Sequence, residues 1–196
     1  MSKGQTAPLP RLGEGDAVVD EAFALSVLPQ RGPDAHKWGV GGLMVVAGAP
    51  GYIGAPAMCA MAAARAGAGI VLLAAPRSVI IPVATLVPET VFIPLPEGEA
   101  DIAARTAKTK IEERLEKARA LVVGPGLGDD EHATALLAEL FGTKSGRSAS
   151  TLGFSTGKAN TAEAETKAAG LVGQDKPAVI DADGLNWLAK QANWWK

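Results

Sequence analysis

Residues Gly41 to Pro76 read GGLMVVAGAPGYIGAPAMCAMAAARAGAGIVLLAAP, and this stretch decides the fold. Its apolar run Leu43–Ala47 is too short for an ordinary helix and runs into three glycines, Gly48, Gly51 and Gly54. It therefore reads as a buried strand opening into a loop of bare backbone. Pro56 suits the first position of a helix, where a missing N–H is not missed. Ala57–Ala66 are mostly alanine and methionine, good helix formers with thin side chains that let the helix lie close to a sheet. Gly67 and Gly69 end that helix, and Ile70–Ala75 reads as a second buried strand, which completes a βαβ unit with a right-handed crossover. In such units ligands bind beyond the carboxyl ends of the strands, where free N–H groups and the positive helix end favour an anion. The loop Gly48–Ala55 is that place, as a ligand cradle or as a plain tight connection.

Two sharper readings of the loop fail on spacing. Its glycines run G-x-x-G-x-x-G rather than G-x-G-x-x-G, and the first acid after it is Glu89, too far on to hold a dinucleotide ribose. No Gly-Lys-Ser/Thr follows, which excludes a Walker loop.

A chain of 196 residues is long enough for one domain. Its 19 basic and 21 acidic residues leave a net charge of −2, which gives no electrostatic case for nucleic acid or an anionic membrane. Cys59 is the only cysteine, so an intrachain disulfide is impossible, and its place on an apolar helix face marks a small packing residue rather than a nucleophile. A reducing cytoplasm fits. The first 16 residues, MSKGQTAPLPRLGEGD, hold no apolar core for a signal peptide, and the alanine-rich helix is too short to span a bilayer.

The rest of the chain keeps the α/β pattern. Residues 1–20 read as a flexible lead-in, and Glu21–Leu28 as a short helix ended by Pro29. Asp101–Arg119 has helical spacing, with Ile111 and Leu115 four apart, and reads as a solvated amphipathic helix. Ala120–Val123 is a short buried strand and Ala133–Phe141 a helix. Thr143–Lys176 is rich in Ser, Thr, Gly and Lys and reads as a polar, mobile insertion with a helix at Ala162–Ala169. Ala178–Ile180 is a strand, and Leu185–Lys190 begins a helix for which Asp183 suits the N-cap. Alternating strands and helices imply a mainly parallel, doubly wound sheet covered on both faces.

Two further strand ends repeat the first. Gly124-Pro125-Gly126-Leu127-Gly128-Asp129 follows one, and Asp181-Ala182-Asp183-Gly184-Leu185-Asn186 the other. Three such ends pointing to one sheet edge suggest a shared crevice. Within the last, Asp183 is either a helix cap or a site group, and Asp181 either braces a neighbouring loop or meets a ligand.

Four pieces, in order, then resemble a known family: LPQRGPDAHKWGVGG at Leu28–Gly42, VVAGAPGYIGAPAMCAMAAARAGAG at Val45–Gly69, ALVVGPGLGDD at Ala120–Asp130 and PAVIDADGLNWLA at Pro177–Ala189. Together they resemble the ADP- or ATP-dependent NAD(P)H-hydrate dehydratases, ribokinase-like repair enzymes also found fused behind an epimerase domain. The resemblance implies a ribokinase-like doubly wound sheet and repair of NADH or NADPH hydrated on the nicotinamide ring. Phosphoryl transfer from ADP or ATP, with Mg²⁺, makes the ring hydroxyl a leaving group, and elimination restores the reduced ring. By the same resemblance Ala55 and Gly126 contact the hydrated ring, Tyr52 and Gly54 shape its pocket, and Asp183 and Asn186 line its edge. His36 and Lys37 match a His-Lys pair of the family, to brace the first strand or to meet ligand. The implied setting is cytoplasmic, a homo-oligomer without nucleic-acid or membrane partners.

The family pattern continues past the DAD segment into a His-Pro-Gly-Glu stretch and a Gly-Ser-Gly-Asp turn bearing the catalytic aspartate, and neither occurs in these 196 residues. The expectation is thus an N-terminal portion of the dehydratase domain over 21–196, with its sheet incomplete at the C-terminal end, no identifiable catalytic residue and no turnover by itself. Trp187, Trp194 and Trp195 are expected partly exposed at the uncovered side. The alternatives are another ribokinase-like small-molecule kinase, or a non-catalytic binding or scaffold subunit.

Overall fold

The computed structural model describes residues 18–28, 32–143, 170–173, 176–192 and 194. The chain divides into two units, Met1–Asp34 and Ala35–Lys196. Among its described residues the first holds one short helix, α1 (Glu21–Val27), none of whose residues is buried. Asp20 starts it, its carboxylate accepting the Phe23 N–H at 2.8 Å, which satisfies one of the otherwise unbonded donors of the first turn. The proposed stop at Pro29 lies outside the described residues, as do the helix at Ala162–Ala169 and Trp195.

The second unit begins with a single turn, α2 (Lys37–Val40), and then alternates strand and helix: β1 (Gly42–Val46), α3 (Gly54–Ala66), β2 (Ile70–Pro76), α4 (Arg77–Leu86), β3 (Val91–Leu95), α5 (Ala100–Leu115), β4 (Ala118–Val123), α6 (Glu131–Phe141), β5 (Ala178–Ile180) and α7 (Asp183–Leu188). The five strands form one sheet in the order β3-β2-β1-β4-β5, and every pairing is parallel. Because strand side chains alternate between faces, β1 and β2 feed two cores. Val45, Ala47, Leu73 and Ala75 pack with α3 and α4, whereas Met44, Val46, Leu72 and Ala74 pack with α5, α6 and α7. The sheet is thus doubly wound with both faces covered, as expected. Among the described residues no helix is long and apolar enough to cross a membrane.

Several boundaries differ from the sequence reading, each for a physical reason. Helix α3 starts at Gly54, so Pro56 is its third residue rather than its first. The first turn has no intrahelical use for those N–H groups, so proline is tolerated there too. The helix read over Asp101–Arg119 ends at Leu115, and residues from Ala118 onward are already β4. It is also less solvated than expected: Ala100, Ala103, Ala104, Ala107, Ile111 and Leu115 are buried, an alanine-rich stripe that hydropathy underrates. Helix α4 and strand β3, in the stretch between Pro76 and Ala100, were not anticipated. Pro82 within α4 and Pro94 within β3 disguised both, since each is a residue that regular elements usually avoid.

Trp187 is buried, against expectation. It stacks on Phe141 with ring centroids 5.3 Å apart, which joins α7 to the end of α6. Trp194 is exposed, as expected. The described ends of the polar 143–176 stretch are tied down: Leu171 is buried, Leu171 and Val172 donate to the Leu140 carbonyl, and the Lys176 ammonium donates to the Ala118 carbonyl.

Candidate functional site

All five strands point the same way, so the loops after β1, β4 and β5 leave one edge of the sheet. Strands β1 and β4 are neighbours, yet α3 goes to one face and α6 to the other. The chain reverses its winding between them, and diverging connections leave a crevice at such a switch point.

The β1 and β4 loops are bonded to each other across it. Gly48 N–H donates to the Pro125 carbonyl at 3.0 Å, and Gly124 N–H to the Val46 carbonyl at 3.2 Å. Gly48 has φ 91°, and a Cβ there would lie 2.7 Å from the Pro56 ring and 2.9 Å from Val79, so only glycine suits the position. Gly126 has φ 64°, and its missing Cβ would lie 2.8 Å from the Ala55 methyl and 2.9 Å from the Tyr52 Cβ. Ala55, Tyr52 and Gly126, from motifs about seventy residues apart in chain order, are therefore one contiguous surface. Gly51 and Gly54 are different. A Cβ at either meets nothing within 4 Å, so space stands in front of the loop.

The third loop joins through Asp183. It is the first residue of α7 rather than its N-cap, which is Ala182, and its carboxylate accepts the Gly128 N–H at 2.8 Å. The cap reading fails because the turn into α7 swings this side chain across to the β4 loop. Ala182 itself is the only described residue other than glycine with positive φ, 46°, a strained backbone of the sort that gathers at functional turns. Asp183 and Asn186 share the lining of a cavity of about 20 Å³ with Gly128 and Trp187. Asp181 stands near enough to Cys59 for its charge to act there. Burial pushes the Cys59 thiol above its ordinary range, and the Asp181 carboxylate adds to the rise.

Five of the six predicted site residues thus form not one pocket but a chain: Tyr52, Ala55 and Gly126 touch, Gly128 links Gly126 to Asp183, and Asn186 lines the small cavity with Asp183. Gly54 stands exposed at the start of α3. His36 and Lys37 are elsewhere. They precede β1, at the opposite end of the sheet from the crevice, where the His36 ring nitrogen accepts the Gly39 N–H and caps α2.

A larger cavity, about 280 Å³, opens beside the crevice between α5 and α6. It shares Gly48, Ala49, Pro50 and Leu127 with the two loops, and none of the six predicted residues lines it. The alanines of α5 at 100, 103, 104 and 107 form its wall, and their helical spacing was the one signal in the sequence that could have located it. Among the described residues no group of three His, Cys, Asp or Glu side chains stands placed to hold a metal ion.

The sequence profile of the NAD(P)H-hydrate dehydratases matches residues 43–149, more than half of the chain. The chain belongs to the NAD(P)H-hydrate dehydratase family. It is 36% identical over 162 residues to the bifunctional NAD(P)H-hydrate repair enzyme Nnr of Salinibacter ruber, covering 82% of this chain and 24% of that protein. With the ADP-dependent (S)-NAD(P)H-hydrate dehydratase of Streptococcus pneumoniae it shares 31% identity over 124 residues, 63% of this chain and 39% of the relative. Among solved structures, the ADP/ATP-dependent NAD(P)H-hydrate dehydratase of Bacillus subtilis, co-crystallized with ATP/Mg²⁺, is similar with a TM-score of 0.54 and 21% identity, over 85% of this chain and 46% of that one. A ribokinase-like protein of Enterococcus faecalis is similar with a TM-score of 0.53 and 22% identity, over 65% of this chain and 41% of that one. At such identities these two likenesses speak for the fold, which is ribokinase-like. The chain spans a quarter to two fifths of the length of the two curated relatives described.

Proposed function

We propose that this family member serves the nucleotide-dependent dehydration of hydrated NADH or NADPH, and that the β1–β4 switch point holds the damaged nicotinamide ring. The observation that carries the reading is the contact of Gly126 with Ala55 and Tyr52, which makes one surface of the two family motifs that hold substrate by resemblance. Ala55 and Gly126 offer a small, flat floor, and bare backbone there admits a ring at van der Waals distance. Tyr52, 57% exposed, walls the floor, and the open space before Gly54 gives entry. Asp183, fixed by the Gly128 N–H, and Asn186 border it.

In the proposed reaction the ring hydroxyl oxygen attacks the terminal phosphorus of ADP or ATP. A C–O–P linkage forms, the terminal phosphoanhydride bond breaks and the hydroxyl proton is lost. Cleavage of the C–O bond then releases phosphate, and a proton leaves the adjacent ring carbon as the double bond returns. The residues of this chain orient the ring and keep water from its face. Mg²⁺, brought with the nucleotide, would supply charge neutralisation for the transferred group, since among the described residues no group of three His, Cys, Asp or Glu is placed to hold it. The same reading places the enzyme in the cytoplasm as a homo-oligomer, without nucleic-acid or membrane partners, in keeping with its near-balanced charge and single cysteine.

Ala55→Leu tests it. Hydrated NADH is titrated against the parent chain and the variant by isothermal calorimetry, with thermal unfolding run alongside. A loss of roughly tenfold or more in affinity at unchanged melting temperature is expected. Equal affinity for the two chains would show that the loop is not the substrate wall.

A further inference from the structure

The Asp183 carboxylate is bonded to the loop that carries Gly126, and the free space beside it is small. The cavity it lines, about 20 Å³, has room for a water and not for a ring, and Tyr52, Ala55 and Gly126 take no part in its lining. The loop itself is soft by composition. Gly124, Gly126 and Gly128 all have positive φ, so its path rests on the residue type with the greatest conformational freedom. Two bonds tie it down. On one side of Gly126 the Pro125 carbonyl accepts the Gly48 N–H at 3.0 Å, and on the other the Gly128 N–H donates to Asp183 at 2.8 Å. Gly128 is also next to the wall of the crevice, because a Cβ there would lie 3.9 Å from the Tyr52 ring, an ordinary contact distance.

Asp183 stands on backbone that is itself held. A Cβ at Gly184 would lie 3.0 Å from the Val123 carbonyl and 3.2 Å from the Gly124 Cα, so the start of α7 packs directly on the end of β4. The strained Ala182 precedes it and leaves Asp183 reaching across to the loop instead of capping its own helix. We infer that Asp183 is a positioning residue: by holding Gly128 it sets the Gly126 floor and the Tyr52 wall at a fixed spacing, without touching the ring that they receive. The inference rests on the reading of the crevice as the site of the hydrated nicotinamide and adds to it a group that acts through the loop. The task needs an acceptor oxygen of this reach, which asparagine also supplies and alanine does not.

Tyr52 is the only tyrosine of the chain, so a fluorinated tyrosine places a single fluorine signal at the wall. The 196-residue chain and its Asp183→Ala and Asp183→Asn variants are compared by that signal, by hydrogen exchange at the Gly128 amide and by calorimetric titration with hydrated NADH. Asp183→Ala is expected to move the fluorine signal, to speed Gly128 exchange roughly tenfold or more and to weaken hydrated NADH by a similar factor. Asp183→Asn is expected to restore the parent values. In the parent, saturation with hydrated NADH is expected to slow Gly128 exchange, since the ligand takes up the held loop. Should Asp183→Ala fail to fold, this last measurement decides, and unchanged exchange overturns the inference. Affinity lost alike in both variants, with the fluorine signal and Gly128 exchange unmoved, would mean that the carboxylate meets the ligand itself. Affinity unchanged in Asp183→Ala would mean that the floor needs no such tie. Either result overturns the inference and leaves the proposed function standing, whereas a parent chain that takes up no hydrated NADH overturns the proposed function and the inference with it.

Discussion

At the scale of single residues, the glycines of the crevice divide into those the backbone requires and those it does not. Gly126 combines a positive φ with no room for a methyl, so Gly126→Ala is expected to destabilise by ~1–3 kcal/mol in urea unfolding. Gly51→Ala, in the same crevice, meets nothing and does not need the left-handed region, so it is expected to be neutral or to stabilise by up to ~1 kcal/mol. Equal losses at the two positions would contradict this division. Cys59 makes a pH prediction. Burial, and secondarily Asp181, hold its folded pKa above that of a free thiol. The folded state therefore favours the protonated thiol, so its contribution to stability is full below the unfolded pKa and is lost as pH rises through the folded one. Alkylation of Cys59 by iodoacetamide is expected to be slow at neutral pH, with a profile displaced upward from that of a small thiol. A profile at or below the small-thiol one would contradict the burial of this side chain.

At the scale of elements, α6 makes its own boundary. Gly142 stands in the left-handed region after Phe141, and Thr143 N–H returns to the Ala138 carbonyl. Leu171 and Val172 then bond the Leu140 carbonyl, so residues on either side of 144–169 meet at one helix end. Gly170 lies against the backbone of Phe141 and Gly142, so replacing 144–169 by a two-residue Gly-Ser link is expected to preserve the fold, with stability unchanged or raised by about 1 kcal/mol because a shorter connection costs less to close. Circular dichroism and thermal melting check it, and loss of cooperative unfolding would show that the excised residues are structural. The sequence made α3 and α6 legible through glycine and alanine punctuation. Helix α4 and strand β3 were not, because each carries an internal proline and derives its stability from burial of Val79, Val83, Ile93 and Leu95 rather than from local preference.

At the scale of the whole molecule, β5 is the last strand on its side of the sheet among the described residues. Among those residues it pairs with β4 alone, and Val179 in its middle is 61% exposed. A short strand with an unpaired edge and an apolar side chain in solvent favours pairing with another chain. Concentration-dependent association is expected in sedimentation velocity, and Val179→Lys is expected to reduce it without altering the melting temperature. Association unchanged by Val179→Lys would place the self-contact elsewhere.

The sequence by itself determined the βαβ start, the parallel doubly wound class and the family, because each follows from short-range spacing: apolar runs of strand length, glycines at their ends, alanines between. It also placed three loops at one edge, since parallel strands leave no other choice. Only the tertiary structure decided which loops touch. That Gly126 fits against Ala55 and Tyr52, that Asp183 crosses to Gly128 instead of capping its own helix, and that four alanines of α5 wall a cavity depend on strand order and on the switch of winding between β1 and β4. Those contacts join residues far apart in the chain, and no local pattern encodes the distance between them.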